Sequence, residues 1–293
     1  MVSKAFSDLS GASQPLLDDL ALAEREQGKT AAEERARERA ELTAPAIEET
    51  ASPDPCEHVL LLGVERDDWP QVQDGFCVRD SYYYSQLADP PATRAFRLAL
   101  AAVGGYTELL LLLAEGRNID EARAQLQVLA NTVSAALAAV GAGGALPLAS
   151  TALEGLRPLL DLAAKDANAK ELERLVRQES PRVEAVLEAL RDGAPAMFRT
   201  LTESSFARYN TVGLSDVEVA RAEAQRIEGY RVAVSNYAVL LDQYRALLDD
   251  LVTLYERTPA APTLADLTER SAQLSARADA WRRALASLRT GIR

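Results

Sequence analysis

The chain has 293 residues, 48% of them hydrophobic and 26% charged, with a formal net charge of -12. That length and balance provide for a sizeable core and exclude a wholly disordered chain. The acidic surface would repel a phosphate backbone, which excludes nucleic acid as an expected partner.

Aromatic residues make up only 5% of the chain, while alanine, leucine, glutamate and arginine, which lose little side-chain freedom in a helix, abound. The expected fold is all-α. It is an elongated multi-helix bundle with long antiparallel coiled-coil-like helices and a small irregular cap. Only four of the 32 basic residues are lysine, a bias that points to a GC-rich bacterial genome.

The opening "MVSKAFSDLSGASQ" has no charged region followed by an apolar run. An exported or periplasmic location, with a leader or lipid anchor outside these residues, is the expectation over a cytoplasmic one. Residues 1–12 read as loose. Ser13 and Pro15 open a helix, because proline tolerates a first turn. Leu16, Leu17 and Leu20 give it an apolar start. From Glu24 to Glu41 it is almost wholly polar, and Pro45 ends it. The glutamates of "ERARERA" (34–40) interleave with arginines at helical spacing, the pattern of a solvated, ion-paired face.

Residues 44–91 break the pattern. Six of the 13 prolines lie here, with both cysteines, the single histidine His58, and Trp69. "HVLLLGV" (58–64) and "VQDGFCV" (72–78) suit a two-stranded hairpin, and "SYYYSQ" (81–86) follows. Cys56 and Cys77 have two readings. A disulfide would close a loop of about 20 residues and contribute roughly 3 kcal/mol; two buried thiols would act as small hydrophobes.

From Ala92 onward every segment reads as helix. The first is 92–115, closed by Gly116. The next runs from Asn118, an N-cap with Glu121 three residues on, to about Val140. A glycine cluster at 141–144 and Pro147 then interrupt. Helices follow at 148–179, 181–192 and 195–207. In "LSDVEV" (214–219), Ser215 caps, Glu218 reaches back and Leu214 staples against Val219. Ile227, Tyr230, Val234, Tyr237, Leu241, Tyr244, Leu248, Leu251 and Tyr255 recur at steps of three and four. After "TPAAPT" (258–263), Leu264, Leu267, Ser271, Leu274, Ala278, Trp281, Leu285, Leu288 and Ile292 do the same. Two such seams joined by a short turn predict an antiparallel hairpin of helices 216–257 and 263–292. The domain reading is therefore an N-terminal segment 1–43, a cap 44–91 and a bundle 92–293.

Catalytic patterns are sparse. One histidine forbids most histidine-dependent sites, and no HExxH, CxxC or Glu-x-x-His run occurs. Cys56 and His58 form a Cys-His pair with no visible oxyanion partner. "GAGG" (141–144) has Leu146 where a dinucleotide loop needs its third glycine. No enzyme, cofactor or metal is expected.

No charged residue occurs from Ala124 to Leu153. One reading is a hairpin buried in the bundle. The other is a tip that meets a membrane or a partner, made by Leu137, Val140, Gly141, Gly143, Gly144, Leu146 and Leu148. A spanning helix needs about 20 apolar residues, and Asn131, Thr132 and Ser134 interrupt this run. Arg97 and Glu108 likewise interrupt "AFRLALAAVGGYTELLLLL" (95–113). The expected function is non-enzymatic: a structural or protein-interaction bundle of a bacterial cell envelope. It would meet a protein partner through the polar helix 24–43 or the tyrosines of 81–86, or a second copy through its heptad seams. The alternative is a membrane-active, pore-forming-like protein that inserts residues 127–149.

Overall fold

A computed structural model describes residues 1–43, 77–114, 119–141, 170, 174, 177–212, 215–255 and 263–291. The fold is all-α, with no strand among the described residues. The hairpin expected at 58–64 and 72–78 lies outside them, apart from Cys77 and Val78. The chain divides into two compact units, Met1–Leu20 with Pro91–Arg293, and Ala21–Pro90.

Helix α1 runs Val2–Thr43, so the N-terminus is not loose. Val2, Ala5, Leu9, Ala12, Ser13, Leu16, Leu17 and Leu20 recur at helical spacing and are buried. Pro15 therefore lies inside the helix rather than at its start. An internal proline loses one backbone hydrogen bond and presses on the carbonyl four residues back, at a cost of about 3 kcal/mol. That carbonyl belongs to Gly11, beside which a Cβ would find open space. Burial of the leucines on either side offsets the cost.

In the first unit, α3 (Pro91–Ala114) packs on α4 (Ile119–Gly141) and on α5 (Ser180–Asp192). Helix α6 (Ala194–Thr211), α5 and α8 (Leu264–Gly291) all pack on α7 (Val217–Tyr255). At about 1.5 Å per residue, α7 is about 58 Å long. Its seam is buried from Ile227 to Leu251, and Ala233, Leu240, Leu247 and Val252 beside the seam are buried too. The apolar face is wider than a two-position seam because three helices cover it. Residues pair in opposite order along α7 and α8: Asp250 with Arg270, Tyr237 with Trp281, Gly229 with Leu288. The two helices are thus antiparallel. Leu264 departs from the expected seam and is exposed, whereas Leu267 through Leu285 at the seam spacing are buried.

The tyrosines of α7 are core residues. Tyr237 and Tyr244 are fully buried, and Phe6 of α1 packs on Tyr244 with ring centroids 5.1 Å apart. Gly104 of α3 makes room for the Phe6 ring, which a Cβ there would strike. Thr107 donates to the Val103 carbonyl at 3.0 Å, so the Tyr244 hydroxyl donates to Thr107 Oγ1.

The start of α7 corrects one expectation. Asp216, not Ser215, is the cap: its Oδ1 accepts from the amides of Glu218 at 3.0 Å and Val219 at 3.2 Å. Ser215 instead donates to the Val212 carbonyl at 2.9 Å, and Glu218 turns to Arg221. Leu214 lies outside the described residues. Asp216→Ala is expected to cost about 1 kcal/mol and Ser215→Ala only a few tenths, as read by urea denaturation; equal losses would return the cap to Ser215. At α8, Thr263 and Asp266 form a reciprocal box. Asp266 accepts from the Thr263 amide at 2.8 Å, and Thr263 Oγ1 from the Asp266 amide at 3.2 Å.

In the second unit one face of the polar half of α1 is covered, while Glu26, Thr30, Glu33 and Glu34 stay exposed as expected; the side chains of 36–43 lie outside the described ones. Past Cys77 the chain forms a 3-10 turn (Val78–Asp80) and a one-turn helix α2 (Ser81–Tyr84) within the segment expected to be irregular. Arg25 donates to the carbonyls of Ser85 at 3.1 Å and Ala88 at 3.0 Å. Arg35 pairs with Asp80 at 3.0 Å, and the Tyr83 ring lies over Gly28, where a Cβ would collide with it.

Candidate functional site

The first unit holds a cleft of about 420 Å³ lined by Arg208, Ala222, Glu223, Gln225, Arg226, Ser287 and Leu288. Its volume falls in the range of small-molecule sites. Three helices build it: the end of α6, the first turns of α7 and the end of α8. Glu223 lies four residues before Ile227 and seven before Tyr230, in register with the buried seam. A carboxylate is thereby carried to a core-facing position, and Glu223 is only 6% exposed. Gly229 lets α8 come close enough that Leu288 lies against the α7 backbone and forms an apolar wall.

The charges of the cleft are incompletely matched. Arg208, well exposed, reaches Glu223 Oε1 at 3.4 Å. Glu223 Oε2 is buried and has no hydrogen-bond partner, and neither has Arg226 Nε. The Arg226 guanidinium lies near the Tyr230 hydroxyl, whose pKa burial pushes up and Arg226 pulls down. Behind it, Asp19 of α1 pairs with Arg289 at 2.8 Å. Burial raises the Asp19 carboxyl above its ordinary range, against the pull of Arg289 and Arg226. A buried polar group without a partner costs about 1–3 kcal/mol, more if charged. Around the cleft the unmet buried atoms are thus two acceptors, Glu223 Oε2 and, behind it, Asp19 Oδ2, and one donor, Arg226 Nε.

The sequence-derived sites fall elsewhere. Cys56 and His58 lie outside the described residues; Cys77 is half-buried at the start of the 3-10 turn and is not a free thiol. Of the tip residues, Gly143, Gly144, Leu146 and Leu148 lie outside the described residues. Leu137, Val140 and Gly141 belong to α4, and Leu137 packs against the core beside buried Leu129, Val133 and Ala136. Helix α3 is the one helix among the described residues long and apolar enough to cross a membrane, yet more than half of its apolar window is buried. Its Arg97 is paired with Asp18 at 2.6 Å. No cluster of three or more metal-ligating side chains occurs among the described residues.

None of the cleft residues stood out in the sequence. The one available signal was Glu223, a carboxylate at a seam position. Comparison with protein-family models, curated proteins and solved structures finds no match to this chain.

Proposed function

We propose that this chain is a non-enzymatic, protein-interaction helical bundle of a bacterial cell envelope, and that it meets its partner through the rim of the second unit. The observation that carries the reading is the rim itself. Leu87 is 99% exposed and Val78 73%, with Tyr82 and Tyr84 exposed between them. These four residues stand on a segment braced against α1 by Arg25 and Arg35. Single exposed leucines are ordinary, but aromatic and apolar groups gathered on a braced segment are the composition of an interface centre. Presenting them pre-ordered lowers the entropy cost of association. The antiparallel pair α7–α8 serves as the structural spine of the first unit.

The envelope location rests on the proposal that Cys56 pairs with Cys77. The chain has two cysteines and no free one among its described residues, and disulfides persist in oxidising compartments. A thiol titration of the native protein is expected to find none; two titrating thiols would remove the support for export.

The interface is tested with a photocrosslinking residue at position 87 or 84 in cells of the source organism. A discrete adduct of one mass, lost on Arg25→Ala, is expected. No adduct from either position would sink the reading. Flotation and dye leakage with liposomes test the membrane-active alternative. Insertion of residues 127–149 would draw Leu129 and Val133 out of the core at roughly 1.5–3 kcal/mol each. The expected result is no flotation and no leakage; leakage would replace the interaction reading with the membrane one.

A further inference from the structure

We propose that the cleft between α6, α7 and α8 binds a small zwitterion with an apolar side chain, a molecule of the α-amino-acid class. The carboxylate of Glu223 is nine-tenths buried, and its Oε2 lacks a donor. An ammonium group supplies one. Rotation about the last side-chain bond of glutamate is soft, so the carboxylate can turn this oxygen toward the cleft. On the same face one turn on, Arg226 Nε lacks an acceptor, and the well-exposed Arg208 holds Glu223 through a single contact at 3.4 Å. A ligand carboxylate satisfies both guanidinium groups. Residues three apart on a helix are neighbours, about 5–6 Å apart at their Cβ atoms, so the two needs fall within reach of one small molecule. Ala222 and Leu288 give the apolar wall for a side chain, and the cleft of about 420 Å³ has room for it.

A purely anionic ligand leaves the Glu223 oxygen facing another negative charge, and a purely cationic one leaves Arg226 without an acceptor. The mixture of unmet groups, not the net charge, selects the zwitterion.

Titration calorimetry on the full chain tests this with three probes that share one side chain. These are L-leucine, isoamylamine (without the carboxylate) and isocaproate (without the ammonium). Saturable binding of L-leucine is expected, with each truncated probe at least about tenfold weaker, as for loss of one charged hydrogen bond. Arg208→Gln, an exposed change that leaves the fold intact, is expected to weaken L-leucine and isocaproate about tenfold and to leave isoamylamine unchanged. Glu223→Gln is expected to weaken L-leucine and isoamylamine and not isocaproate. No saturable binding of L-leucine overturns the proposal, as does equal binding of all three probes. Binding that both variants leave unchanged also overturns it. Photocrosslinking at the rim is unaffected by any of these outcomes, so the two proposals fail separately.

Discussion

Leu9→Ala is expected to lower the free energy of unfolding by about 2–5 kcal/mol, while Gly11→Ala, two residues away, raises it by about 0.5–1 kcal/mol. Leu9 is fully buried in the core of the first unit. Its truncation removes transfer energy and leaves a cavity that the surrounding helices only partly fill. Gly11 is exposed, lies inside the same helix, and has no atom within 4 Å of where a Cβ would stand. Alanine there meets nothing and restricts the unfolded chain. A typical domain has only about 5–15 kcal/mol in all, so Leu9→Ala alone can consume a large share. Urea denaturation followed by circular dichroism reads both values. The opposite signs are the test, because a loose N-terminus makes both substitutions silent.

The second large effect is alkaline. Burial pushes the Tyr106, Tyr237 and Tyr244 hydroxyls far above the ordinary tyrosine value of 10.0. The folded state keeps these groups neutral while the unfolded chain ionises. Their contribution is therefore complete below pH 10 and is lost as pH rises above it. Each ionising tyrosine is worth about 1.4 kcal/mol per pH unit, so three together remove about 4 kcal/mol per unit. Urea midpoints are expected to fall steeply above pH 10, and the share of tyrosinate absorbance that the Phe variants at 106, 237 and 244 remove is expected to appear together with the loss of helix. Gradual ionisation with the helices intact would show that these hydroxyls reach solvent. Tyr237→Phe separates one contribution. The Tyr237 hydroxyl has no hydrogen-bond partner, so its removal is expected to stabilise the protein by about 1 kcal/mol at neutral pH and to reduce the alkaline slope by about a third.

The long C-terminal helices were legible because large side chains at steps of three and four have one interpretation once they span many turns. The start of α1 was not. Its early buried positions are filled by Ala5, Ala12 and Ser13, which carry little hydrophobic signal, and Pro15 satisfies the rule for a first turn although it stands in the helix interior. The capping residue was missed by one place because Ser215 and Asp216 are both competent. Only the geometry shows that the serine hydroxyl is spent on the Val212 carbonyl. The cleft was illegible for a different reason. Arg208, Glu223 and Leu288 are brought together by the packing of three helices, and no local pattern encodes that meeting. Arg25 is a similar case: its carbonyl partners at Ser85 and Ala88 lie far along the chain, so one face of a helix that looks solvent-bound by composition is covered.

Gly229 and Leu288 impose a constraint on how this sequence can drift. A side chain at 229 takes the space that Leu288 fills, and a shorter residue at 288 opens that space again. The two positions therefore have no independent substitution preferences. Among sequences that diverge from this one while keeping its fold, bulk at 229 and bulk at 288 should be anticorrelated. Because Leu288 is also a wall of the cleft, a lineage that exchanges volume between the two positions reshapes the cleft while its charged residues stay the same.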